Sequence, residues 1–401
     1  MRIVDVCEFY SEHGGGVRTY IHQKLAASAA CGVDCTVLAP GPEDRIEERD
    51  GGRIQYLKSP RHIIDARYHV FSKSAPVYQA LDALDPDVVE GSSAWRGGWL
   101  AAHWPGRAAR AFFIHQDPVA VYGHTFLGKL LPLETVDRLA GWMWSYLSQL
   151  ASKFDVSVVS GAWLAERLAQ MGLPRPVSVP FGIELETFSP ALRNEARRRE
   201  MLAACGVEDP EALLLVAVSR YHPEKRIGVL IEAFERIRAE RPAALFLMGH
   251  GPIRAWVERR AHGVAGLHLS GPIWDRRLLA QTLASGDAFL HGGAAETYGL
   301  AVAEGLASGL PLIVPDLGGA SDLAGPSYAE VYRAGHAEAC AAAIRRFLAR
   351  DRLAVRAAAA VEGAIRLRRP DAHFRELFAL YAKLPQRQSV SISAEALLAP
   401  A

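Results

Sequence analysis

The sequence predicts an α/β protein built from two doubly wound, Rossmann-like domains. Short apolar runs alternate with helical segments along most of the chain, and this strand–helix alternation is typical of a parallel sheet with crossover helices. Both halves share a layout of strand, glycine turn and helix. With 401 residues, the chain is long enough to bury two separate cores.

The charge balance argues against one class of partner, although a local basic face is still compatible with it. The chain has a formal net charge of +1, so we expect no general affinity for nucleic acid. No apolar run reaches the ~20 residues of a membrane span, and a strand candidate at residues 2–6 leaves no room for a signal peptide. Five scattered cysteines without zinc spacing favour a cytoplasmic protein with reduced thiols.

Three consecutive glycines lie between the first predicted strand and the first predicted helix. They are Gly14, Gly15 and Gly16, and the helix covers residues 18–30. Glycines there let the backbone approach a ligand, and a helix N-terminus favours an anion. The run lacks the G-x-G-x-x-G spacing of dinucleotide sites. A flexible loop that binds nothing explains it equally well.

A histidine follows a buried strand in the first half. Further strands are predicted at residues 35–39, 53–57, 87–90, 111–114 and 156–160, with a helix at 74–84. His115 comes directly after one of them, and so lies at the carboxyl edge of the sheet, where ligands bind. A lone histidine is more often a structural hydrogen-bonding group than a catalytic one, so the position alone does not decide its role.

Several aromatic side chains in the first half have two explanations. Trp95 and Arg96 lie in a loop after a strand and could hold an acceptor, although Trp95 could equally pack. Trp142 and Tyr146 lie off the apolar stripe of a helix predicted within residues 133–150. They could contact a membrane interface or a hydrophobic acceptor. A helix packed on both sides is the commoner explanation.

The second half opens with a strand at residues 213–218, and the turn after it carries two cations. Arg220 and Lys225 lie in that turn, and a helix follows at residues 227–238. A diphosphate bound there would meet both side chains and the free amides of the helix start. The chain therefore has a candidate anion site in this turn.

Two later turns have the shape that a nucleoside needs. Gly249 and Gly251 follow a strand at residues 245–248, and their small size lets a ligand lie against the backbone. Ile273 follows a strand at residues 267–270 and so lies near the same edge of the sheet.

The stretch at residues 284–319 carries two glutamates separated by seven residues. Residues 287–291 predict a buried strand and residues 301–307 a helix. Glu296 therefore lies in the loop after the strand, and Glu304 lies in the next helix. In a parallel sheet this is the ligand crevice at the carboxyl ends of the strands.

This stretch resembles the donor-binding signature of the family-4 retaining glycosyltransferases (glycosyltransferase group 1). That signature is Glu-x7-Glu with an aromatic–glycine pair inside, matched here by Glu296, Tyr298-Gly299 with Leu300, and Glu304. The resemblance covers residues 2 to about 384. It implies the GT-B architecture, with two Rossmann-like domains facing across a cleft and a C-terminal helix crossing back to the first domain.

The resemblance also divides the chain and shows two departures. It implies an acceptor-side domain at residues 1–187, a nucleotide-sugar domain at 188–370, a returning helix at 371–384 and a loose tail at 385–401. In the interdomain segment, which starts at Pro180, Phe181 replaces the usual Asn. The triplet His291-Gly292-Gly293 stands where Pro-Ser is usual, so the loop before Glu296 is expected to differ in shape.

The family's activity implies a role for each candidate residue. A sugar moves from a nucleotide diphosphate to an acceptor hydroxyl with retention. Arg220, Lys225 and the amide of Gly16 would stabilise the diphosphate leaving group, Glu296 would orient the sugar, and His115 would bond it near the attacked carbon. Glu304 would hold the ribose, beside the Tyr298-Gly299-Leu300 turn, and Ile273 would contact the base, which usually lies at this position in the family. Glu296 could instead act as a nucleophile in a double displacement.

We predict no metal and no cofactor, since the nucleotide-sugar is a co-substrate. The single Asp-x-Asp triplet, Asp85-Pro86-Asp87, lies between a helix and the start of a strand. That is the wrong end of a strand for a ligand. The fixed cations would take the place of an ion.

Three other functions and several acceptors stay open. A sugar-nucleotide epimerase or a phosphorylase of the same fold is possible, although no context for a pyridoxal lysine is present, and a non-catalytic sugar-nucleotide binder is the third. GDP- and UDP-sugars both fit as donors. The acceptor could be lipid-linked or a saccharide. The aromatic residues favour glycolipid or cell-envelope synthesis, with peripheral contact at the cytoplasmic membrane face.

Overall fold

The computed structural model describes residues 1–12, 16–49, 51–62, 68–128 and 130–385. Gly14, Gly15 and residues 386–401 of the predicted tail lie outside the described residues.

The first sheet is parallel except at one edge. Its described strands are β1 (Arg2–Val6), β2 (Asp34–Gly41), β3 (Arg45–Arg49), β4 (Gly52–Lys58), β5 (Val88–Gly91), β6 (Ala109–Phe113), β7 (Val156–Val159) and β8 (Val177–Ser178). They are ordered β3-β4-β2-β1-β5-β6-β7-β8, and only the β3–β4 pair is antiparallel among them. The sequence analysis did not predict β3, because its Arg-Ile-Glu-Glu-Arg sequence is largely charged and exposed.

Helices cover both faces of this sheet. Those described before the interdomain segment are α1 (Gly16–Ala30), α2 (Ala75–Leu84), α3 (Arg96–His103), α4 (Leu133–Leu139), α5 (Gly141–Ala151) and α6 (Ala162–Gln170). Two separate buried apolar clusters lie against the sheet, one on each face. The central strands are therefore apolar almost throughout rather than alternating.

The second sheet is parallel throughout its described strands. They are β9 (Leu213–Val218), β10 (Ala243–Met248), β11 (Leu267–Gly271), β12 (Ala288–Leu290), β13 (Leu312–Pro315) and β14 (Ala329–Tyr332). Their order is β11-β10-β9-β12-β13-β14. The two-domain α/β class predicted from the sequence is confirmed.

The helices of the second half are the following: α7 (Glu195–Ala204), α8 (Ile227–Glu240), α9 (Arg254–Ala261), α10 (Arg276–Ala284), α11 (Leu300–Ala307), α12 (Ala337–Leu348), α13 (Arg352–Arg366) and α14 (Pro370–Tyr381). The last of them, α14, leaves the second domain and packs on α1. Phe374 lies 5.2 Å from Tyr20 between ring centroids, and the Tyr381 hydroxyl donates to Glu90 at 2.8 Å. The predicted crossing of the C-terminal helix is confirmed.

The returning helix covers a buried charged cluster in the first domain. Lys24 donates to Asp5 at 2.9 Å and to Glu90 at 2.8 Å, and all three side chains are fully buried. An unpaired buried charge is costly, so these groups hold β1, β5 and α1 together as one unit. Tyr381 adds α14 to that unit.

Candidate active site

The candidate residues lie after strand ends of the two sheets. Lys225 belongs to a short 3₁₀ turn, Pro223–Lys225, between β9 and α8. Glu296 lies in the loop between β12 and α11. In a parallel sheet the order β9-β12 makes these two loops neighbours at the carboxyl edge, as the sequence analysis expected.

Lys225 and Glu296 form a close ion pair in this crevice. The Lys225 Nζ atom donates to Glu296 Oε1 at 2.6 Å, and it lies 3.4 Å from Glu224 Oε1. Burial alone would raise the pKa of Glu296, but Lys225 and His291 hold it well below its usual range. Burial would lower the pKa of Lys225, and the two glutamates outweigh it and raise that pKa. Both groups are therefore charged at neutral pH.

His291 lies beneath this pair and was missed as a site residue. Its side chain is only 3% exposed, and Nε2 lies 3.3 Å from Glu296 Oε1. A Cβ at Gly293 would lie 2.9 Å from that Nε2, and one at Gly292 would lie 2.7 Å from the Lys225 carbonyl oxygen. The His-Gly-Gly departure thus brings the imidazole and the Lys225 backbone close to Glu296. The signal was visible as a polar residue directly after β12.

Arg220 lies at the exposed side of the same turn. Its guanidinium donates to Glu224 Oε1 at 3.1 Å, and its side chain is 59% exposed. The buried Glu224 carboxylate therefore holds both cations, one on each side. This leaves Arg220 able to swing towards a ligand, while Lys225 is fixed.

Glu304 is paired by an arginine that the sequence analysis did not single out. Arg276 donates to Glu304 at 2.9 Å and to Glu184 of the interdomain segment at 3.3 Å. Burial raises the pKa of Glu304, and Arg276 offsets part of that effect. Glu304, which is predicted to bind the ribose, is therefore already oriented by Arg276. The same arginine links it to the segment between the domains.

His115 projects from the end of β6 into an aromatic cluster. Its ring stacks on Phe113 with centroids 4.4 Å apart and meets the edge of Tyr20 at 5.0 Å. The Nε2 atom is buried and has no hydrogen-bond partner among the described residues. Burial lowers the pKa of His115 to about 4, so the ring is neutral at pH 7 and one nitrogen is free for a ligand.

Phe181 links this cluster to the second domain. Its ring lies parallel to Phe113 at 6.1 Å and meets the edge of Tyr298 at 5.6 Å. An asparagine could not make these apolar contacts, which is a physical reason for the departure at this position. Tyr298 is thereby buried beneath the loop that carries Glu296.

The remaining predicted contacts are mostly backbone positions. Gly16 opens α1, and a Cβ there would meet nothing within 4 Å. Gly249 and Gly251 are held by the β9 turn, because Cβ atoms there would lie 1.8 Å from the Ser219 oxygen and 2.3 Å from the Tyr221 oxygen. These two glycines are thus required by packing whether or not a nucleoside binds.

Three further positions are predicted to contact the nucleoside. Gly299 precedes α11 with a φ of 90°, Leu300 is partly exposed, and Ile273 packs on the second domain's core. Whether a base or ribose touches them stays a prediction.

The two domains touch directly beside the crevice. The Trp163 amide, in the first turn of α6, donates to Asp322 Oδ2 at 2.8 Å. A Cβ at Gly161 would lie 2.7 Å from the Thr297 oxygen, next to Glu296. The sequence analysis did not identify this contact, because its partners are far apart in the chain.

No metal cluster is present among the described residues: no three His, Cys, Asp or Glu side chains are arranged to hold an ion. Asp85 and Asp87 of the Asp-x-Asp triplet lie at the amino edge of the first sheet. Asp85 pairs with the Arg2 side chain at 2.8 Å, and Asp87 accepts from the Arg2 amide at 2.7 Å. These contacts give the triplet a structural role.

Two parallel-sheet domains, with Lys225, Glu296 and Glu304 in or after the loops at strand ends, are the arrangement expected of a nucleotide-sugar-dependent glycosyltransferase of the GT-B fold. Comparisons with known families agree. Residues 14–187 match the model described as Glycosyltransferase Family 4, and residues 212–350 match Glycosyl transferases group 1. The chain belongs to this glycosyltransferase family, and its activity is that of a hexosyltransferase.

Two relatives come from Mycobacterium tuberculosis. A GDP-mannose-dependent alpha-(1-6)-phosphatidylinositol dimannoside mannosyltransferase is 31% identical over 78% of this chain and 79% of its own. A GDP-mannose-dependent alpha-mannosyltransferase is 29% identical over 81% and 82%.

Solved structures share the fold. Sucrose-phosphate synthase from Thermosynechococcus elongatus has a TM-score of 0.75 at 19% identity, covering 96% of this chain and 98% of its own. Anabaena HepE in complex with UDP and glucose has a TM-score of 0.70 at 13% identity, covering 96% and 99%.

Proposed function

We propose that this protein transfers mannose from GDP-mannose to a hydroxyl of a membrane glycolipid, with retention and without a metal ion. The Lys225–Glu296 ion pair is the observation that carries the proposal. The buried His115 nitrogen, which has no partner among the described residues, supports it. GDP-mannose is preferred over a UDP-sugar because the M. tuberculosis relatives use GDP-mannose by name.

Donor binding would divide the ion pair between two parts of the substrate. The diphosphate takes Lys225 and draws in Arg220, and the released Glu296 carboxylate accepts hydrogen bonds from sugar hydroxyls. Charge that grows on the leaving phosphate is then met by the fixed Lys225 and the recruited Arg220 in a partly buried site, where such interactions are stronger than in water. The amides at the start of α1, beginning at Gly16, would add to this stabilisation.

The chemical step breaks the bond between the anomeric carbon and the diphosphate oxygen, and the electron pair leaves with GDP. The acceptor hydroxyl attacks from the same face, and its proton passes to the departing phosphate oxygen. His115 is neutral, so its free nitrogen hydrogen-bonds a donor sugar hydroxyl without adding charge near the oxocarbenium-like carbon.

A lipid acceptor fits an exposed apolar surface on the first domain. Large apolar side chains are exposed along residues 122–142: Tyr122, Phe126, Leu127, Leu130, Leu131, Leu139 and Trp142. Trp142 is 71% exposed, so the packed-helix explanation for it is wrong. Scattered apolar residues are ordinary, whereas a concentration like this indicates an interaction site. We propose that it rests on the cytoplasmic membrane face. Across the described residues, no helix has both the length and the apolarity to cross a bilayer.

The test is a donor screen followed by product analysis. Isothermal titration with GDP and UDP identifies the base, and incubation of GDP-mannose with phosphatidylinositol mannoside in vesicles identifies the product. An α-linked mannolipid whose rate is unchanged by EDTA supports the proposal. Preference for UDP, a β-linked product, or loss of activity that a divalent ion restores would each overturn the corresponding part. Donor turnover into an isomeric sugar nucleotide without acceptor would instead favour the epimerase.

A further inference from the structure

A second cavity lies on the opposite side of the second domain from the crevice. It has a volume of about 410 Å³ and is lined in part by Asp287, which directly precedes β12. Asp287 Oδ2 accepts from the Leu214 amide at 2.8 Å, so the cavity opens at the amino edge of the sheet. His291 and Glu296 follow the other end of β12. The two sites are therefore separated by the length of a strand.

The cavity has an excess of positive charge. Its lining includes five arginines and three acids, Glu195, Glu211 and Asp287. Two of the arginines are matched: Arg198 donates to Asp287 at 2.9 Å, and Arg193 donates to Glu195 at 2.9 Å. Three guanidinium groups remain without a carboxylate partner among the described residues.

The unmatched arginines differ in how they are held. Arg356 is fixed in the wall, donating to the Gly286 oxygen at 2.7 Å and the Ala284 oxygen at 2.5 Å. Burial lowers the pKa of Arg356 to about 10, and repulsion from other arginines adds to the effect. Arg199 and Arg352 also line the cavity, are not buried, and make no ion pair with any described residue. A bound anion would offset the mutual repulsion of these guanidinium groups.

We propose that this cavity binds a phosphate-bearing anion. Guanidinium groups fit phosphate oxygens in bidentate geometry, and five arginines line this one cavity. The volume suits a small phosphorylated molecule. Helix α13, which carries Arg352 and Arg356, packs closely on α11 at Gly363, whose Cβ would lie 2.7 Å from the Leu306 oxygen. The helix that carries Glu304 is therefore in contact with a wall of the cavity.

Calorimetric titration of the full chain with inorganic phosphate tests the site, with the crevice first saturated by the nucleoside diphosphate that binds best. Wild type should show one saturable site. An Arg199→Gln/Arg352→Gln double variant should bind phosphate about tenfold more weakly or worse. Arg259→Gln, an exposed arginine on α9 without an ion pair to a described residue, should match wild type. These side chains anchor no backbone contact among the described residues, so folding should be unchanged.

Two sources of the phosphate are separated by a second arm. Vesicles of phosphatidylcholine with phosphatidylglycerol replace free phosphate, and binding is measured by sedimentation. If the double variant binds free phosphate more weakly than wild type but binds vesicles equally well, the ligand is a soluble phosphate. If it binds only the vesicles more weakly, the ligand is a lipid headgroup. Equal binding by wild type and the double variant in both arms, or no saturation by wild type in either, overturns the proposal. A further titration without the nucleoside diphosphate completes the test. Phosphate binding that is seen with the crevice empty and is lost with the crevice filled also overturns the proposal.

Discussion

Asp322 of the second domain caps a helix of the first. Its Oδ2 accepts from the Trp163 amide at 2.8 Å, in the first turn of α6, whose own N-cap residue is Gly161 and offers no side chain. A carboxylate at a helix N-terminus satisfies orphan amides and favours the helix dipole. Here that cap is supplied across the domain boundary, so closing the crevice and completing the helix are the same event.

Replacing Asp322 should therefore open the crevice as well as weaken α6. Asp322→Ala should cost about 1 kcal/mol of unfolding free energy, as for a lost cap, and should raise the radius of gyration in solution scattering. Faster amide exchange at Ala162, Trp163 and Leu164 would locate the effect. Asp322→Asn keeps an acceptor and should lie between. An unchanged scattering profile for the alanine variant would show that the contact does not hold the domains together.

The ion pair in the crevice predicts opposite effects on nucleotide affinity. Glu296→Gln removes the competitor for Lys225, so GDP should bind more tightly while the transfer rate falls about a hundredfold. Lys225→Met should weaken GDP binding and lower the rate. Calorimetry and steady-state kinetics measure both, with Glu232→Gln on the outer face of α8 as control. If GDP binds more weakly to Glu296→Gln than to wild type, the pair is not divided by the donor.

Two buried imidazoles predict a stability loss in mild acid. Burial lowers the pKa of His115 and of His373 to about 4, below the ~6.5 of an unfolded histidine. The unfolded state then binds more protons between these values, so stability falls as pH drops from 6.5 to 4. Each ring contributes on the order of 3 kcal/mol across that window.

A variant assigns this loss. His373 Nδ1 donates to the Pro180 oxygen at 2.9 Å, and Nε2 accepts from the Tyr20 hydroxyl at 3.2 Å. The glutamine of His373→Gln does not titrate, so the unfolding free energy of this variant, measured with denaturant at several pH values, should fall less steeply between pH 6.5 and 4 than that of wild type. An identical pH dependence would place the acid sensitivity in other groups.

The apolar surface at residues 122–142 predicts membrane binding that depends on exposed side chains. Trp142→Ser and Leu130→Ser together should reduce sedimentation with vesicles severalfold, because each removes exposed apolar area from the interface. Thermal stability should be nearly unchanged, since neither side chain is buried. Trp274→Ser, an exposed tryptophan on the second domain, is the matched control. If Trp274→Ser reduces vesicle binding as much as the Trp142→Ser/Leu130→Ser double variant does, the surface at residues 122–142 is not a specific membrane contact.

Local patterns were enough to predict the fold class and to place Lys225 and Glu296 after strand ends, because strand–helix alternation determines which loops share a sheet edge. Local patterns could not predict contacts between segments that are distant in the sequence. Arg276 reaches Glu304 and Glu184 from a helix that reads as ordinary surface. Asp322 meets Trp163 across 159 positions of sequence. His291 looked like a loop variation because its role depends on the side chains packed against it.

The anchoring of α14 sets an order of events for the growing chain. The first domain leaves the ribosome early, yet Glu90 receives its Tyr381 partner only after 291 further residues have been made. Until then the groove beside α1 that later holds Phe374 and Tyr381 stays uncovered. A chaperone that recognises apolar grooves would thus find its target during translation and lose it when α14 docks.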